Sequence, residues 1–180
     1  LLNVLHWIQD EPLCDPERIG LWGSSYSGGH VVYAAAQDPR VKATVSQVPA
    51  LDSTFVVATD AEREQTYREA TKRARGEIGY PEPGARVIGN LRGAPIREKL
   101  MRYAPVDDVE QAPQCAMLFV IAENEELFNN EDHAIKAHAR AKGPKKLVTI
   151  PGITHYGIYL AKRAEAERLA IEWFDEHLKP

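Results

Sequence analysis

Gly23-Ser24-Ser25-Tyr26-Ser27-Gly28-Gly29 follows a short apolar run (Ile19, Leu21, Trp22) and precedes a stretch of helix-forming residues. A sharp strand-to-helix turn of this kind strains the backbone of a serine and lifts its hydroxyl clear. The residues two places to either side must therefore be small. Gly23 and Ser27 meet that requirement around Ser25. The following helix aims N–H groups and the positive end of its dipole at the space beside the serine, where negative charge on a carbonyl oxygen would collect. Tyr26 would offer its backbone N–H there. Gly28 and Gly29 lack a Cβ and let the helix approach the sheet. Taking Ser27 as the nucleophile would put Ser25 and Gly29 at the small positions, a frame that starts too far from the strand end. Ser/Gly strings are also ordinary turns, so the reading depends on the rest of the chain.

On either side of this turn the pattern alternates strand and helix. Leu1, Leu2, Val4, Leu5 and Ile8 lie at helical spacing and predict an amphipathic helix over residues 1–9. Pro12 and Pro16 break the loop that follows. A buried strand is predicted over 18–23, a helix to about Gln37, and a β-branched strand from Val41 to Val48. Ala116-Met-Leu-Phe-Val-Ile-Ala122 is continuously apolar, as a strand covered on both faces should be. Lys146 to Ile150 gives a fourth strand. Helices follow at about 131–142 and 159–178, the last with Leu169, Ala170, Trp173 and Phe174 on one face. Strand alternating with helix implies an α/β fold with a parallel sheet. Residues 52–110 break the rhythm. A charged helix (about 60–78), a Pro/Gly-rich run and a second helix near 95–103 read there as a helical cap or lid insertion. The core is assigned to 1–51 and 111–180. Tyr67, Ile78 and Tyr80 could form the apolar side of the lid, although a solvated helix face is the simpler reading of 62–77.

A chain of 180 residues suits one domain with a real core. A net charge of −4 without a basic cluster gives no nucleic-acid footprint, and no apolar run would cross a bilayer. Cys14 and Cys115 are far apart without metal-type spacing and need no disulfide, which favours a reduced, cytoplasmic setting. The chain begins at Leu1 within its first helix. The expectation is a fragment whose N-terminal half of the fold is absent, so that a missing segment or a partner chain completes the sheet. The isolated chain would then have low activity. A homo-oligomer stays open.

Polar residues at the carboxyl ends of strands build active sites in open α/β sheets. Ser25 follows the first strand, Glu123-Asn-Glu125-Glu126 the apolar one, and Pro151-Gly-Ile-Thr-His155 the last. A serine hydroxyl needs a base to take its proton. A histidine can do this near neutral pH, and a carboxylate must hold the imidazole in the working tautomer.

With these residues in place the chain resembles the C-terminal portion of an α/β-hydrolase, nearest the dienelactone hydrolase-like and prolyl oligopeptidase-like branches. The matching pieces are Asp15-Pro-Glu-Arg-Ile-Gly-Leu-Trp-Gly23, Gly23-Ser-Ser-Tyr-Ser-Gly-Gly-His30, Tyr103-Ala-Pro-Val-Asp-Asp-Val109, Ala122-Glu-Asn-Glu-Glu126 and Gly152-Ile-Thr-His155. The resemblance implies Ser25 as nucleophile, His155 as base, Glu125 as acid and the Tyr26 N–H as oxyanion donor. Such families usually write Gly-x-x-Asp where this chain has Ala122 to Glu125. Asp52 and Glu126 stay open as alternative acids, Asp52 ranking second. Serine replaces the cysteine of true dienelactone hydrolases, which favours ester or related acyl substrates. A prolyl-oligopeptidase-type peptidase, a C–C hydrolase, an acyltransferase and a non-catalytic binding scaffold are the alternatives. The expected partner is a small acyl compound; no metal or organic cofactor is implied. His133 and His138, five apart, do not share a helix face as a metal pair would and read as exposed. His30 reads as packing behind the turn.

Overall fold

The computed structural model describes residues 1–80 and 96–180. The Pro/Gly-rich run of the insertion and the first residue of its second helix lie outside these. By contact the chain divides into one unit of Leu1–Asp52 with Pro105–Pro180, and a second of Ser53–Ala104.

The first unit is built on four parallel strands in the order β1-β2-β3-β4: Ile19–Ser24, Val41–Gln47, Ala116–Ala122 and Lys145–Ile150. Every residue of β3 is buried, as its unbroken apolar run requires between two neighbours with helices on both faces. The side-chain period of two in β2 sends alternate residues to opposite layers. Ala43 and Val45 enter a core with Leu118, Val120, Ile150, Leu169, Ala170 and Trp173. The Ser46 hydroxyl turns the other way and donates to the Gly28 carbonyl at 2.5 Å. The helices of this unit are α1 (Leu2–Gln9), α2 (Tyr26–Gln37), the single turn Pro105–Asp108, Lys136–Arg140 and Arg163–Leu178.

β1 differs from expectation. It is an edge strand among the described residues, and Trp22 is 46% exposed rather than buried. Likewise only Leu5 of the N-terminal helix is buried, while Leu1 and Val4 are exposed. Helical spacing identifies a face, but what covers the face comes from other elements. The helix predicted at 131–142 opens instead as a π-helical turn, Glu131–Ile135, before Lys136–Arg140. The last helix begins at Arg163, because His155–Tyr159 forms a 3-10 turn.

In the second unit, Asp60–Ala74 starts with a capping box: the Thr59 side chain accepts from the Glu62 N–H, and the Glu62 carboxylate accepts from the Thr59 N–H. The helix stops short of residue 78 because the chain turns at Gly76, whose φ of +72° suits glycine. A single turn, Arg97–Leu100, stands where the second helix was expected, and Arg73 pairs with Glu98 at 3.5 Å. Tyr67, Ile78 and Tyr80 are all exposed. No helix among the described residues is long and apolar enough to cross a membrane.

Candidate active site

Ser25 sits between the last residue of β1 and the first of α2 with φ +55° and ψ −123°. That conformation is rare for a non-glycine residue and persists only where neighbours fix it. Three contacts do so: the Ser25 N–H donates to the Gln47 carbonyl at 2.9 Å, and the Ser25 carbonyl accepts from the N–H groups of Gly28 (2.9 Å) and Ala50 (3.0 Å). Gly23 is required locally, since a Cβ there would overlap the Ser27 carbonyl. Ser27 locks the turn with its hydroxyl, which donates to the Ser24 carbonyl at 2.7 Å and accepts from the Ser24 N–H at 2.8 Å. A Cβ on Gly28 would come within 2.8 Å of the Pro49 ring, so glycine allows the helix to press on the loop after β2. Although Ser25 occupies the N-cap position, its side chain makes no capping bond.

The Ser25 hydroxyl instead lies 3.0 Å from His155 Nε2. His155 follows β4 and is 1% exposed. Its Nδ1 is 2.9 Å from both oxygens of Glu125, whose side chain is 1% exposed. The loop after β3 grips the loop after β4 at further points. Glu126 accepts the His155 backbone N–H at 2.7 Å, Glu123 accepts the Gly152 N–H at 2.8 Å, and the Asn124 N–H donates to the Ile153 carbonyl at 2.9 Å. Of the three sequence candidates, Glu125 meets the ring of His155 and Glu126 meets its backbone. Asp52 ends the loop after β2, where its own N–H points to His133. Tyr26 begins α2, its ring edge-on to His30 at 4.7 Å between centroids. Tyr159 adds a strap the sequence reading did not single out: its hydroxyl is 2.7 Å from that of Ser24.

His133 corrects the sequence reading. It is 3% exposed, and its Nδ1 accepts the N–H groups of Leu51 (2.8 Å) and Asp52 (3.2 Å). The groups that meet the ring come from the loop after β2, far away in the chain, so spacing within the helical segment does not reveal its burial. Burial pushes the imidazole below its ordinary 6.5; Asp52 and Asp132 oppose the shift and Lys136 adds to it. With its folded pKa depressed, this group leaves stability intact above about pH 6.5. Below that pH the unfolded chain takes up a proton that the folded ring refuses. The loss approaches about 1.4 kcal/mol per pH unit for one proton, until the folded pKa is reached. Thermal melting between pH 7.5 and 5.5 should therefore fall more steeply in the native protein than in His133→Asn; parallel curves would contradict this.

The chain is similar to several known proteins. The family model described as "Prolyl oligopeptidase family" matches residues 1–180. An uncharacterized 31.7 kDa protein in the traX-finO intergenic region of Escherichia coli is 30% identical over 211 residues, covering 99% of this chain and 71% of that protein. A thiohydrolase of Aspergillus aculeatus, aneE, is 43% identical over 53 residues, 29% of this chain and 17% of that protein. Among solved structures, the α/β-hydrolase GrgF from Penicillium superposes with a TM-score of 0.80 at 20% identity, over 98% of this chain and 69% of that one.

Proposed function

We propose, starting from a chain that belongs to the prolyl oligopeptidase family and is an α/β-hydrolase, that it cleaves carboxylic ester or related acyl bonds through Ser25, His155 and Glu125. The single observation that carries this reading is the continuous line of hydrogen bonds from the Ser25 hydroxyl through both ring nitrogens of His155 to the Glu125 carboxylate, with contacts of 3.0 and 2.9 Å. With Nδ1–H donating to Glu125, Nε2 is bare and accepts the hydroxyl proton. Ser25 Oγ attacks the acyl carbon as its proton moves to Nε2, and the carbonyl electron pair shifts onto oxygen. That oxyanion faces the N-terminus of α2, where the Tyr26 N–H is the proposed donor; one such donor contributes roughly 3–4 kcal/mol to the transition state. Collapse expels the alcohol or thiol, which takes the proton from Nε2. Water then repeats the sequence on the acyl-enzyme and frees the acid.

Peptide cleavage is the second reading, favoured by the family description. The local likeness to a thiohydrolase favours ester and thioester substrates. The deciding experiment treats the full-length protein with a fluorophosphonate and maps the adduct. An adduct on Ser25 that disappears in His155→Ala supports the proposal, and no adduct favours a binding scaffold. A panel of acyl esters, thioesters and peptide anilides then separates the two readings.

A further inference from the structure

His133 is a buried titratable side chain that the reaction above does not use, and it meets the turn beside Ser25 and the ring of Phe128. On one side, its Nδ1 accepts two backbone N–H groups, from Leu51 and Asp52. A nitrogen that accepts carries no proton, so the neutral ring holds its hydrogen on Nε2. The two N–H groups belong to the turn after β2, which is itself strained: Val48, β-branched and fully buried, has φ +36°. A β-branched residue in that region is an outlier that survives only when its surroundings over-determine it. This turn fixes the nucleophile candidate from below, because the Ala50 N–H donates to the Ser25 carbonyl at 3.0 Å. On the other side, the His133 ring lies against Phe128 at 4.5 Å between centroids and 39° between planes. Phe128 in turn meets the His155 ring edge-on at 5.6 Å and 82°. The π-turn Glu131–Ile135 delivers His133 into this position; such turns are frequent at functional sites.

We propose that His133 is a positioning residue that holds the Val48–Asp52 turn beneath Ser25 through Nδ1 and, through Phe128, the His155 ring, so that hydroxyl and imidazole stay in register. The proposal rests on the catalytic reading of Ser25 and His155. The charged groups around the ring are Asp52 from the turn, and Asp132 and Lys136 from its own helical segment. A proton added at Nδ1 would confront two donors and release the turn.

The test uses the full-length protein and two variants. His133→Phe keeps a ring against Phe128 and removes the acceptor, whereas His133→Asn keeps an acceptor near the Nδ1 position. With hydrogen exchange read alongside, the Phe variant should lose protection at the Leu51 and Asp52 amides. Its rate of fluorophosphonate labelling at Ser25 should drop by about tenfold or more, the scale of a sub-ångström misplacement. The Asn variant should recover most of that rate. A folded Phe variant that labels at the native rate overturns the proposal. Should that variant not fold, nitrogen NMR of the native protein decides: an Nε2–H tautomer with an accepting Nδ1 from pH 8 to 6.5 supports it, and an Nδ1–H tautomer overturns it. Absence of any Ser25 adduct in the native protein overturns the catalytic reading itself, a failure recognisable because it does not depend on position 133.

Discussion

Ser25→Ala in the full-length protein is expected to lower ester turnover by about 10⁴-fold or more, with folding unchanged. The size follows from how the hydroxyl is held. Its oxygen lies 3.0 Å from His155 Nε2, while three backbone contacts keep the turn in its strained conformation whatever the side chain is. Alanine therefore removes the proposed nucleophile without collapsing the turn. Residual rate would come from substrate binding and the oxyanion donor alone. Measuring kcat/KM on a chromogenic acyl ester, beside the melting temperature, decides it. A Ser25→Ala protein that keeps a tenth of native turnover would show that another group attacks the substrate.

Glu125→Gln comes second, with an expected loss of about 10³ to 10⁴ in kcat. The carboxylate accepts from Nδ1 at 2.9 Å with both oxygens and also takes the Leu127 N–H at 3.1 Å. An amide in this place can donate to Nδ1, which forces the ring hydrogen onto Nε2 and aims it at Ser25. The base is then already protonated at the nitrogen that must receive the proton. Glu126→Gln serves as the internal comparison. Glu126 accepts the backbone N–H of His155, a bond the amide oxygen can also accept, so that variant should lose far less. Turnover falling further in Glu126→Gln than in Glu125→Gln would mean that the acid had been assigned to the wrong neighbour.

Those two adjacent glutamates mark how far the residues alone could lead. Ser25, His155 and the strands that carry them were legible because their signals are local. A fully buried strand demands an unbroken apolar run, and β3 has one; a tight strand-to-helix turn demands small flanking residues, and Gly23 and Ser27 supply them. Glu125 and Glu126 have the same chemistry one residue apart. Their choice depends on which way each side chain leaves the loop after β3 and where the loop after β4 meets it. The burial of His133 is hidden from the local pattern for a related reason: the N–H groups that meet its ring come from residues about eighty positions away.

By itself, then, the chain determined its alternating strands and helices, its parallel sheet and the serine and histidine at the ends of strands, because periodicity and turn chemistry act over a few neighbouring residues. Only the tertiary structure decided which carboxylate faces the imidazole, that Trp22 lies on an exposed edge strand, and that a second histidine is locked beneath the site. Each of those depends on contacts between segments distant in the chain, whose directions are set by packing rather than by the residues next to them.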